Sequence, residues 1–307
     1  MRLGIREAYI SKVGLLFLVL ASASSMRCLR AQTKSSTPSV SRVQLHEKRA
    51  SALDLEVAGD LAGVPAGTIR YLRREDLLTL PQVSYTGTDD ANFKGPTQVS
   101  GVSLEELVQR LSRSPQADLV VAICDDLYRA HYSRSYIKAH APLLVLLING
   151  KAPEEWPKYS EGQSMGPYLI SHPGFTSRSK VLSQPEESQI PWGVIRLEFQ
   201  NEEKVFGAIA PRGPSAKEPA VQDGYHIAQQ NCFRCHNMGA EGGEKAKRPW
   251  LVLTTWATAS PEYFSAYVHD PKSKNPRAQM PGNPGYDDAT IHALILYFRT
   301  FGTEGKP

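Results

Sequence analysis

Residues 231–238 read NCFRCHNM, with Cys232 and Cys235 three positions apart and His236 directly after the second. Upstream, AVQDGYHIAQQN (220–231) fits a helix. Downstream, PEYFSAYVHD (261–270) and YDDATIHALILYFRTFG (286–302) fit two more, the last ended by Gly302. No long strand pattern appears after residue 219, so the motif lies in a small helical unit of fewer than ninety residues. A core that small usually needs a covalent or metal staple.

Three chemistries use this spacing. A structural zinc site needs four ligands, usually a second Cys/His pair. Beyond the motif only His226, His269 and His292 are near in sequence, unpaired, and no further cysteine follows. A redox dithiol belongs after a strand in a βαβ unit, whereas this motif follows a helix. Haem attachment fits the pattern better. Two thiols three residues apart add to the two vinyl groups of one haem, and the adjacent histidine reaches the iron. The sixth ligand is then expected from Met280, in the Pro/Gly-rich stretch NPRAQMPGNPG (275–285), 44 residues past His236. Met238 is too close to His236 to reach the other face, and His269 and His292 are the rivals.

Residues 219–305 resemble a class I cytochrome c domain, carried by GYHIAQQNCFRCHNM and NPRAQMPGNPGYDDATIHALILYFRTF. The resemblance implies haem thioethers at Cys232 and Cys235, His236 proximal and Met280 distal. It implies a crossing of Gly224 and Tyr225 on the last helix near Leu294 and Tyr297. It also puts Pro249 at the position whose carbonyl holds the proximal imidazole. Trp250 and Trp256 are expected to cover the ring or fill the core. Lys245, Lys247 and Arg248, with Lys272, Lys274 and Arg277, form two basic clusters that would steer an acidic redox partner.

The region before the motif has another character. LDLEVAGD (53–60), QVSYTG (82–87), ADLVVAICDD (117–126) and PLLVLLINGK (142–151) read as strands, as do GVIRLEFQ (193–200) and VFGAIA (205–210). REDLLTLP (74–81), VSLEELVQRLSR (102–113) and SRSYIKAH (133–140) read as short helices, the second opened by a capping box of Ser103 and Glu106. The fold class is therefore α+β, a β-rich domain at 49–210 followed by an all-α domain at 219–307. APRGPSAKEPA (210–220) supplies a linker at 211–218.

Residues 53–210 resemble the molybdopterin-binding domain of the sulfite oxidase family, on LEVAGDLAGVPAGTIRYLRREDLLTLPQVSYTGT, VSGVSLEELVQRL and the stretch from VAICDDLYRAHYSRSYIKAH to MGPYLI. In that family a cysteine after the strand QVSYTGT ligates molybdenum. Here the sequence continues DDANFKGPTQVSGVSL, with no cysteine and only Lys94 basic, so molybdopterin is not expected. Cys124 is a displaced candidate ligand or a core residue. Arg129, His131, Tyr132 and Arg134 are either a small-ligand set or a solvated loop.

The N-terminus reads as an export signal over residues 1–31, with basic residues Arg2, Arg6 and Lys12 before the apolar run VGLLFLVLA (13–21). Residues 32–48 then read as a linker. Cys28 lies within the leader and lacks a lipobox context. The full chain carries 35 Lys+Arg against 31 Asp+Glu. The leader holds five Arg/Lys and one Glu, which leaves 30 charges of each sign in the remainder. That balance argues against nucleic acid. Sparse cysteines argue against a disulfide framework.

The expectation is a periplasmic or otherwise exported monohaem electron carrier with redox protein partners and no membrane-spanning segment after cleavage. Two alternatives remain. One is a molybdenum-dependent oxidoreductase feeding its own haem. The other is a haem subunit of a membrane-associated respiratory complex.

Overall fold

In a computed structural model the described residues are 41–302, except 89, 91, 159–161 and 175–188. The expected leader and most of the following linker fall outside them. The described chain is α+β, with strands before residue 201 and helices after it.

The first part is a nine-stranded sheet wrapped by short helices. Its strands are β1 (Leu55–Gly59), β2 (Arg70–Leu72), β3 (Val83–Gly87), β4 (Thr97–Ser103), β5 (Leu119–Cys124), β6 (Arg129–Ser133), β7 (Leu143–Ile148), β8 (Tyr168–Ser171) and β9 (Trp192–Gln200). The strand order is β2-β1-β9-β8-β7-β4-β3, and β5 pairs with both β6 and β9. β1 joins β9 in parallel, whereas β5 runs antiparallel to it. Helices α1 (Arg74–Thr79), α2 (Leu104–Arg110) and α3 (Arg134–His140) cover one face. Ser103 caps α2 as its sequence predicts, its Oγ accepting the Glu106 N–H at 3.1 Å. β7 ends on Asn149 and Gly150, both in the left-handed region. Within the stretch read as a linker, His46 exchanges backbone hydrogen bonds with Tyr71 at 2.8 and 2.9 Å.

One expected strand is a helix. The first half of VFGAIA, 205–207, lies in α4 (Glu202–Gly207) and the rest in the turn after it, not in a strand beside β9. The Asn201 side chain accepts the Lys204 N–H at 2.9 Å, and Glu202 and Glu203 occupy the positive first turn. That local start signal outweighs the short apolar run that begins at Val205.

The second part holds α5 (Pro219–Ile227), a π-helical turn (Ala228–Cys232), α6 (Trp250–Ala259), α7 (Pro261–His269), α8 (Pro271–Lys274) and α9 (Asp288–Arg299). Helix α6 (WLVLTTWATA) is not legible from periodicity because its exposed positions, Leu251, Thr255, Thr258 and Ala259, carry no charged residue. The stretch 211–218 contains a 3-10 turn at Pro214–Lys217.

β5 joins the two parts. Val120, Ala122 and Cys124 face the core of the sheet and its helices. Leu119, Val121 and Ile123 face a second cluster that runs through Phe206 and Ile209 to Phe233, Trp250 and Phe298. Alternating side chains point to opposite faces of a strand, so a strand buried on both faces reads as the unbroken apolar run LVVAIC. The described residues accordingly form one compact unit. No helix of the described residues is long and apolar enough to cross a membrane.

Candidate haem-binding site

The helical frame is set by a close crossing. A Cβ on Gly224 of α5 would lie 2.1 Å from the Ala293 carbonyl oxygen and 2.7 Å from the Tyr297 Cβ of α9. Only glycine permits that approach. Tyr225 stacks obliquely on Tyr297, their rings 5.7 Å apart. α5 then widens into the π turn that ends on Cys232. Such turns shift the following side chains around the helix axis.

Cys232 and Cys235 are both free and partly buried. Burial, followed by the neighbouring Cys235, pushes the Cys232 thiol up to about 12. Burial also raises Cys235, against Lys245 and Arg234. A catalytic dithiol needs the opposite shift, so the redox-dithiol reading loses its chemistry here. Among the described residues no group of three or more His, Cys, Asp or Glu gathers to hold a metal ion, and the zinc reading finds no ligand set.

His236 is buried, and its Nδ1 lies 2.6 Å from the Arg248 carbonyl oxygen. The sequence resemblance pointed to Pro249 for this acceptor; the structure moves it one residue earlier. With Nδ1–H donating, the lone pair stays on Nε2. Burial lowers the His236 pKa, the hydrogen bond to Arg248 opposes this, and the Arg248 charge lowers it further. The imidazole is thereby kept neutral, the form that binds iron.

Met280 is partly buried against the same apolar cluster as Cys232 and Phe233. Its loop is pinned to the end of α7, where the Asn283 N–H meets the Val268 and His269 carbonyls, each at 3.1 Å. Of the rival ligands, His269 holds the Tyr286 carbonyl through Nε2 at 2.8 Å, and His292 is exposed. Trp250 fills the core, with no exposed surface, edge-on to Phe233 at 5.6 Å. Trp256 lies under the Arg248 guanidinium at 5.2 Å.

The attachment loop is held by the β5–β6 hairpin. The Arg129 N–H donates to the Arg234 carbonyl at 2.9 Å, and the Glu244 N–H donates to the Leu127 carbonyl at 3.0 Å. Arg129 pairs with Glu244 at 3.1 Å, and Lys245 pairs with Asp126. Gly243 fits beneath, where a Cβ would meet the Arg234 carbonyl at 1.8 Å. In the first basic cluster Lys245 and Arg248 have partners within the chain, although all three residues are exposed. Lys272, Lys274 and Arg277 remain exposed.

The residues singled out before the motif do not form one set. β6 alternation turns Tyr132 into the sheet core and His131 toward the helices. His131 stacks on Phe233 at 5.2 Å, a contact the sequence gave no signal for. Arg129 bonds to Glu244, and exposed Arg134 opens α3. Cys124 is 1% exposed, and burial, then Asp126 and Asp125, raise its thiol pKa far above the usual range. Tyr85 of β3 donates to Ser171 at 2.6 Å, and Ser171 donates to Asp90, in the segment after β3, at 2.6 Å. A molybdenum ligand needs an accessible thiolate, and the buried thiol of Cys124 does not fit that need.

Residues 219–298 match the family described as cytochrome C oxidase, cbb3-type, subunit III, so this part of the chain is a cytochrome c domain. No match was found among curated proteins. Among solved structures, the sulfane dehydrogenase SoxCD from Paracoccus pantotrophus matches at 15% identity with a TM-score of 0.35. That match covers 56% of this chain and 45% of the other, less than half its length.

Proposed function

We propose that this chain is an exported c-type cytochrome that carries single electrons on one covalent haem. Cys232 and Cys235 would hold the haem through thioethers, and His236 and Met280 would ligate its iron. Bound haem supplies a one-electron iron couple. The residues supply the rest. The Arg248 carbonyl fixes the His236 ring and tautomer. Phe233, Trp250 and Tyr297 exclude water behind the attachment loop. The β-rich part braces that loop and offers a docking surface, with no molybdenum centre of its own. The observation that carries the reading is the His236–Arg248 hydrogen bond within the two-cysteine loop of a cytochrome c domain.

A reduced-minus-oxidised spectrum with metal analysis of one purified sample tests this. One iron per chain and no molybdenum are expected. Stoichiometric molybdenum from a cofactor-competent host would instead establish the oxidoreductase reading. Met280→Ala should remove the weak long-wavelength methionine–iron band; its survival points to another ligand. Exposed Lys272, Lys274 and Arg277 suit an acidic redox partner, so transfer rates should fall with ionic strength.

The description of the matched family favours a second reading, a haem subunit of a membrane-associated respiratory complex. Copurification with native membranes through a salt wash supports it; release as a free protein supports the carrier.

A further inference from the structure

A cleft of about 640 Å³ opens where β6, α3 and α4 meet α5 and the π turn. It falls in the size range of small-molecule sites. Its inner wall carries His131, Tyr136 and Phe206, and its other side carries Tyr225. Glu202 is half-buried along it, and His226 is exposed at its mouth.

His131 is the unusual member. The residue is 5% exposed, yet neither Nδ1 nor Nε2 has a hydrogen-bond partner. Its backbone is satisfied by Gln189, at 2.7 and 2.5 Å, so only the ring is left over. The ring is fixed by stacking on Phe233 and by Phe206 at 5.5 Å. Buried polar atoms normally find partners, and a neutral imidazole offers one donor and one acceptor. A ligand in the cleft would satisfy them.

The remaining wall defines its chemistry. Three aromatic rings suit a planar molecule. Glu202 and Glu203 accept hydroxyl hydrogens and repel anions, and no lysine or arginine is among the described residues that line the cleft. We propose that this cleft binds an uncharged, planar, hydroxyl-bearing small molecule, with His131 as its hydrogen-bond partner. The site goes beyond the electron-carrier reading and does not depend on it.

The test is a titration of hydroquinone into the full-length, haem-loaded and fully reduced protein, followed by the ¹⁵N resonances of the histidine rings. Reduction removes electron transfer from the readout. The His131 resonances should shift and saturate. Either His131→Phe or His131→Gln identifies them by their loss, and His131→Phe, which removes the hydrogen bond, should weaken binding about tenfold. Hydroquinone sulfonate, which is anionic, should bind at least tenfold more weakly. A His131 signal that does not move overturns the proposal, as does equal affinity for the sulfonate or for His131→Phe. The haem spectrum is independent of these outcomes, so failure here leaves the cytochrome reading to its own test.

Discussion

The Nδ1 atom of His236 lies 2.6 Å from the carbonyl oxygen of Arg248, twelve residues further along the chain. The acceptor is main chain, so orientation of the imidazole does not depend on the Arg248 side chain. That side chain instead covers Trp256 at 5.2 Å and Tyr267 at 5.7 Å. Arg248→Ala should therefore leave the haem spectrum unchanged while lowering stability by about 0.5–1 kcal/mol. Denaturant titration with a parallel absorption spectrum measures both. A changed spectrum would mean that the guanidinium, not the carbonyl, holds the site.

Gly224→Ala is expected to be severe. Its new methyl would sit 2.1 Å from the Ala293 carbonyl, against backbone that cannot move aside cheaply. Parting α5 from α9 should cost about 1–3 kcal/mol or more. The haem yield on denaturing gels should fall with it, because α5 leads directly into Cys232. Gly207→Ala is the control, since nothing lies within 4 Å of its added Cβ.

The two parts should unfold together. β5 contributes Leu119, Val121 and Ile123 to the cluster that also holds Phe206, Phe233 and Trp250. Far-ultraviolet circular dichroism, weighted to the whole chain, and Soret absorbance, local to the haem, should give one coincident transition. Phe206→Ala should lower it by about 3–5 kcal/mol. Tyr297→Phe, which loses only the 2.6 Å bond to the Ile209 carbonyl, should cost about 1 kcal/mol. Separate transitions would show that the shared cluster does not couple the parts.

Acid should act through buried histidines. Burial, then the Arg129 and Arg234 charges, push His131 down to about 3. Burial, then His140 and Arg234, push His172 to about 3 as well. Both folded values lie below the unfolded value of about 6.5, so between these limits the unfolded chain binds protons that the folded one does not. Stability is complete above about pH 6.5 and falls as pH drops through that window. His131→Phe should make the slope there shallower by up to about 1.4 kcal/mol per pH unit. Denaturation midpoints from pH 7 to pH 4 check this; parallel slopes would place the His131 ring in contact with water.

The strands and helices with local signals could be read directly. Ser103 and Glu106 announced α2, and Asn149 and Gly150 ended β7, whereas the crossing of Gly224 on α9 came from the resemblance to the cytochrome c family. α4 was misread because VFGAIA is a short, largely apolar run, although Asn201 and the two glutamates carried the competing start signal. α6 was missed because its exposed positions, Leu251, Thr255, Thr258 and Ala259, carry no charge to set a period.

By itself the sequence determined the chemistry that depends on near neighbours. The spacing of Cys232, Cys235 and His236 is fixed by covalent geometry, and so is the order of the helices around it. Only the tertiary structure decided what depends on distant residues. It made Arg248 the acceptor for His236, buried Cys124, and spent Lys245 on Asp126. It also brought His131 onto Phe233 across a separation of about one hundred residues. Such contacts form because burying the two faces of β5 closes the chain on itself, and no local pattern records which face meets which partner.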